Sequence, residues 1–348
     1  MKTVFRITLL HLLLMLASVP AMAQYQDAGE YMDVISKANE KVSSLYLSYI
    51  SAMGNNKSAR KVEKRRKEVM EAIQNTRFEI QGLPAWKGDR SYKDSSVAYY
   101  KLMYNVFNED FAKIVDMEEI AEQSYDAMEM YMMAKEKASE KLNQASDRQS
   151  KIQKEFGARH DVKIVDGGTS ELEEKSKIAS ALMDHYGDVY LIFFKAYKQE
   201  AYLMDALQKN NLTAIEQNKN ALKAAATEGM QKLQALKGYS NDPTLIVACR
   251  EALQFYKDEA GKMDFATDFI LMNESFAKMK KTFDTRPASQ RTQKDVDEFN
   301  KGVNDINNAV NKYNNTNKQM DKERGRALDN WNKTVTNYLD EYMPKYKA

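Results

Sequence analysis

Apolar residues recur along this chain at alternating spacings of three and four, over segments much longer than one turn. Tyr31, Ile35, Ala38, Val42, Leu45, Tyr49 and Ala52 form one such series. On a helix they fall on a single stripe, so the spacing predicts a first helix over 28–53. Gly54-Asn55-Asn56 ends it with residues that tolerate left-handed backbone, and Ser58 is placed to cap a second helix reaching 81, with Val62, Val69, Ile73 and Ile80 on one side. Val97, Tyr100, Tyr104, Phe107, Phe111 and Ile114 open a third helical segment over 94–156, in which neither Pro nor Gly marks a break.

Residues 157–169 form the one long irregular stretch. Within it Val162-Lys163-Ile164-Val165 reads as extended and Asp166-Gly167-Gly168 as a boundary. Ser170-x-x-Glu173 and Thr213-x-x-Glu216 have the form of capping boxes, opening a fourth helix to about 209 and a fifth to about 236. Asp242-Pro243 opens a sixth, to about 283. A last helix runs over 288–343 on the seam Val296, Phe299, Val303, Ile306, Val310, Tyr313, resumed at Trp331, Val335, Tyr338 and Tyr342. Asn317 falls on that seam, where a buried Asn would fix register.

The pattern also repeats. Ala85-Trp86-Lys87-Gly88 returns as Ala235-Leu236-Lys237-Gly238, and Asn55-Asn56-Lys57-Ser58 as Asn210-Asn211-Leu212-Thr213. The two offsets, 150 and 155, predict a fifth helix five residues shorter than the second. The fold class expected is all-α: an elongated helical bundle of two repeated three-helix units plus a long C-terminal helix. Its divisions are 1–23 as a cleaved leader, 24–157 as a first unit, 158–169 as a linker, 170–284 as a second unit and 285–348 as the closing helix.

The leader reading rests on Lys2 and Arg6, an apolar run from Ile7 to Val19, and Ala21-Met22-Ala23 before Gln24. This is the form of a secretory signal peptide, and the run is too short to span a bilayer. No Cys follows the cleavage point, so no lipid anchor is expected there. Export to the periplasm or cell surface of a Gram-negative bacterium follows. The formal charge of +2 falls to zero once Lys2 and Arg6 are removed, giving no reason to expect nucleic acid as a partner. The single Cys, Cys249, allows no intramolecular disulfide. Stability must come from burial, for which the chain is long enough.

Catalytic and metal motifs are missing. After the leader only His160 and His185 remain. Position −3 is Gly157 and Leu182 respectively, so neither makes the Glu-x-x-His of di-iron bundles. Asp184-His185-x-x-Asp188 reads as a surface His among acids, and Met128, Met130, Met132 and Met133 as adaptable packing residues rather than copper ligands. No phosphate loop and no G-x-S-x-G is present. Neither an enzyme, a cofactor nor a metal site is expected. The most apolar run after the leader is Val189-Tyr190-Leu191-Ile192-Phe193-Phe194-Lys195-Ala196-Tyr197. It reads as a mostly buried helix, and Tyr190, Phe193, Phe194 and Tyr197 are its candidates for a ligand or partner surface.

That run, continued through Lys198-Gln199-Glu200, and the tail Trp331-Asn332-Lys333-Thr334 with Met343-Pro344-Lys345 resemble an uncharacterised family of exported, all-helical surface proteins of Gram-negative bacteria. The resemblance implies helical architecture and export but no activity. The expected role is a non-catalytic envelope protein that binds an unidentified protein or envelope component. The alternative is a small-ligand carrier with an apolar pocket between helices.

Overall fold

The computed structural model describes residues 25–54, 59–164 and 171–345. The expected leader, the Asn55-Asn56 hairpin, the Ser58 cap, the Asp166–Gly168 boundary and the Ser170 cap lie outside the described residues. Everything regular among the described residues is helical. The helices are α1 (Ala28–Gly54), α2 (Ala59–Gly82), α3 (Ser91–Asn105), α4 (Phe111–Ala121), α5 (Tyr125–Arg159), α6 (Glu171–Gln208), α7 (Leu212–Ala235), α8 (Thr244–Lys262), α9 (Asp264–Thr285) and α10 (Gln293–Tyr342).

The expected seams form the core. Tyr31, Ile35, Val42, Tyr49 and Ala52 of α1 are buried, as are Val62, Val69, Ile73 and Ile80 of α2. Fully burying side chains of this size stabilises by roughly 1.5–3 kcal/mol each. No disulfide assists.

Four local expectations change. The third segment is not continuous. One π-helical turn at Val106–Asp110 joins α3 to α4, and the chain then reverses at 122–124, where the Ser124 side chain accepts the Ala127 N–H and caps α5. The sixth helix breaks at Met263 into α8 and α9. Asn211, not Thr213, caps α7 by accepting the Ala214 N–H, and Thr292 with Asp295 forms the capping box of α10. Asn317 is exposed and Met320 is buried instead. Met320 is the next position of the same three-four series, so the seam continues past the exposed Asn317.

α2 and α7 each have 24 residues, so the fifth helix is not shorter than the second. Their starts, 59 and 212, lie 153 positions apart, as do those of α3 and α8 at 91 and 244. Between α2 and α3, Trp86 and Asp89 close a four-residue turn whose central residues, Lys87 and Gly88, have φ of 47° and 86°. Between α7 and α8, Tyr239 and Asp242 close the same turn over Ser240 and Asn241, at 52° and 64°. Two successive positive φ values define a type I′ turn. The counterpart of Lys87-Gly88 is therefore Ser240-Asn241 and not Lys237-Gly238. Gly238 is needed for another reason: a Cβ there would stand 2.2 Å from the Asp242 carbonyl oxygen.

Packing follows one order twice. α1 packs on α2, α2 on α3, α3 and α4 on α5; α6 packs on α7, α7 on α8, α8 and α9 on α10, and in the second set alone the first helix, α6, also packs strongly on α8. α1 against α6 and α5 against α6 join the two sets. Each turn is clamped by the helix that closes its set. Tyr31 lies 5.9 Å from both Trp86 and Phe156, and His160 Nε2 is 2.9 Å from Asp89 Oδ2. Correspondingly, His185 lies 6.3 Å from Tyr239 and 6.4 Å from Tyr338, and Tyr342 donates its hydroxyl to Asp242 Oδ2 at 2.9 Å. His185 is thus half-buried against aromatic rings rather than a surface residue. Burial pushes its pKa down, leaving it neutral.

Candidate interaction surface

The four aromatic residues of the apolar run come together, but mostly inside the fold. Phe193 stacks on Trp331 of α10 at 4.4 Å and Phe194 lies 5.7 Å from Tyr190, both Phe side chains being buried. Phe194 faces Ala121 and Met128 at the α4–α5 reversal, while Phe193 faces α8 and α10. Tyr190 is half-buried and Tyr197 is 37% exposed. Residues one helical step apart thus divide between two neighbouring packings, which is why the run is apolar on nearly all sides.

A cavity of about 410 Å³ lies on the flank of that run, bounded by Leu191, Ile192 and Lys195 of α6, Tyr125 and Glu129 of α5, and Ala225 to Leu236 of α7. Its floor is apolar. Its rim is ionic: Lys195 Nζ reaches Glu228 at 2.7 Å, and Lys232 reaches the same carboxylate at 2.9 Å. Gly229 keeps α7 close to its neighbours, since a Cβ would stand 2.9 Å from Leu253 and 3.0 Å from Ile192.

A second site was not legible in the sequence. Glu200 of α6 and Glu259 of α8 converge on Arg324 of α10. Glu200 Oε1 is 2.5 Å from Arg324 Nε, and Glu259 meets Nη2. The Glu259 side chain is fully enclosed and its Oε2 has no hydrogen-bond partner. Two buried carboxylates share one guanidinium, with Asp321 adding a third acid at the rim. Burial raises Glu259 to about 7, and it raises Glu200 as well, against the pull of Arg324. The available signal was register. Glu200 continues the buried series Phe193, Ala196, Leu203, and Glu259 the series Ala252, Tyr256, Met263, so each places a charge on an apolar stripe. The site ties α10 to the α6 and α8 faces. Cys249, the lone thiol, is buried and pushed up to about 12, which keeps it protonated and inert. No group of three His, Cys, Asp or Glu side chains among the described residues is placed to hold a metal ion.

The α9–α10 hairpin is mostly exposed over residues 271–305. α9 has 22 residues, or about 33 Å of helix at 1.5 Å each, against 11 residues in α4 at the equivalent place. It packs chiefly on α10, through Phe269 against Tyr313 and, beyond Ile270, Phe276 and Phe283 against Phe299. Its tip is built rather than frayed. Arg286 pairs with Asp295 at 2.5 Å, and the Arg291 guanidinium lies over the Phe283 ring at 4.3 Å. Thr292 donates its backbone N–H to Asp295, whose carboxyl is held down at about 2 by that bond and by Arg286. Residues 278–295 carry six Lys or Arg and two acids, Asp284 and Asp295.

No family model, curated protein or solved structure matches the chain. No helix of the described residues is long and apolar enough to cross a membrane.

Proposed function

We propose that this is an exported, non-catalytic protein that holds a partner through its projecting α9–α10 arm. One observation carries the reading: a long, mostly exposed helical hairpin ends in a tip that is capped, ion-paired and net basic. A long exposed hairpin gains little from burial, so its ordered tip is better explained by recognition than by stability. The zero charge balance of the chain without its leader supports local charge matching rather than a general affinity for polyanions. Export rests on the tripartite leader and on the resemblance to exported surface proteins.

The architecture proposed with it is a duplication, revised in its unit. Each copy has four parts: a first helix, a second helix of 24 residues, a type I′ turn into an interrupted third helix, and a closing helix. α5 is then the counterpart of α10, and the closing helix belongs to the second copy instead of standing apart. The turn geometry, the aromatic clamp and the carboxylate at each turn support this reading.

The cavity beside Lys195 supports a second reading, a carrier for a small amphiphile with its apolar part over Leu191, Ile192 and Leu236. Native mass spectrometry of the protein purified from its own host separates the two. A retained protein-sized mass fits the arm reading. A retained small mass fits the carrier and counts against the arm.

A further inference from the structure

The two copies of the hairpin carry opposite charges. Residues 114–134, which span the α4–α5 reversal between Lys113 and Lys135, hold six acids and no Lys or Arg, whereas the α9–α10 tip is net basic. On α5, Asp126, Met130 and Met133 are exposed and spaced i, i+4, i+7, so they share one face; Met130 is 62% and Met133 49% exposed. On α9, Leu271, Glu274, Lys278 and Lys281 are exposed and spaced i, i+3, i+7, i+10, so one acid lies among the two Lys on this face, and Leu271 is 49% exposed. Each face therefore sets an apolar residue two helical turns, about 10 Å, from a charged one. Run antiparallel, Lys278 meets Asp126 where Leu271 meets Met133, and Lys281 reaches toward Glu122 at the reversal.

Resting on the arm reading above, we propose that the partner of the arm is a second copy of this chain, with α9 of one molecule packed antiparallel on the Asp126–Met133 face of α5 in the other. Exposed Met and Leu supply adaptable apolar contact, and the charges set register and orientation. Because the two faces differ, the contact is heterologous. It closes as a reciprocal dimer or propagates head to tail.

The test is sedimentation velocity across a concentration and salt series. It uses the wild-type protein, a Lys278→Glu/Lys281→Glu variant, a Glu122→Lys/Asp126→Lys variant, and an equimolar mixture of the two variants. All four positions are exposed, and circular dichroism verifies that each variant is folded. Wild type should associate, less so as salt rises. Each variant alone should sediment as a monomer, because it opposes like charges. The mixture should associate again, because each altered face then meets its opposite. A wild type that is monomeric throughout overturns the proposal, as does association that neither variant weakens or a mixture that stays monomeric. A monomeric wild type that nonetheless retains a different protein in native mass spectrometry would overturn self-association while leaving the arm reading intact.

Discussion

Glu259 is the residue whose environment makes the sharpest demand. Its side chain is fully enclosed, one oxygen is unpartnered, and it shares Arg324 with Glu200. Burial, opposed by Arg324 and reinforced by Glu200, raises its pKa from 4.5 to about 7. A carboxyl with a higher pKa folded than unfolded contributes stability that is complete below its unfolded pKa and is lost as pH rises through the folded one. The window here is pH 4.5 to 7. At about 1.4 kcal/mol for each tenfold change in proton affinity, the loss across this window is about 3 kcal/mol. For a chain of this size that is roughly 5 °C in midpoint. Glu259→Gln keeps the volume and removes the titration. Thermal melts of wild type and variant at pH 5 and pH 8 should therefore show a midpoint difference that moves by about 5 °C in the variant's favour at the higher pH. Were the difference the same at both values, Glu259 would not be holding a proton in the fold, and the buried pair sharing one cation would be the wrong description.

Further outcomes follow from other places in the fold. Phe193→Ala should destabilise by about 3–5 kcal/mol, because it empties the stack on Trp331, whereas Tyr197→Ala at the surface end of the run should cost much less; melts or denaturant titrations compare them. Gly229→Ala should cost about 1–3 kcal/mol, since the new methyl presses on Leu253 and Ile192. Asp89 is burdened by burial, yet hydrogen bonds from Ser91, His160 and Arg159 hold its carboxyl well below its usual range. Its contribution is present above pH 4 and lost as pH falls further, so Asp89→Asn should flatten the acid side of the stability profile. Intact mass of the exported protein should correspond to a chain starting at Gln24.

The helices were legible because each buries one stripe, and a stripe leaves its period in the sequence. The α1 seam from Tyr31 to Ala52 lies where the spacing put it. Breaks were less legible. The reversal at 122–124 turns on one Ser hydroxyl, and the π turn at Val106–Asp110 involves neither Pro nor Gly, so composition gave no warning. The turn correspondence was also misaligned. Lys-Gly recurs as letters, but backbone conformation recurs over Ser240-Asn241, because Asn tolerates positive φ nearly as Gly does. As for sites, the run from Tyr190 to Tyr197 marked a crowded core and not an open surface. The arm was hidden for the opposite reason: α9 and α10 satisfy the same seam rule as buried helices, and only the absence of further neighbours distinguishes them.

The account stands or falls on whether the arm tip touches another molecule in the cell. A photoreactive residue in place of Lys281, compared with one in place of Lys67 on α2, whose side chain is 71% exposed, reads this directly in the native host. The account predicts a strong adduct from position 281, joined to a peptide from the Asp126–Met133 face of another copy. It also predicts no comparable adduct from position 67. No adduct at 281 above the level at 67 would contradict it.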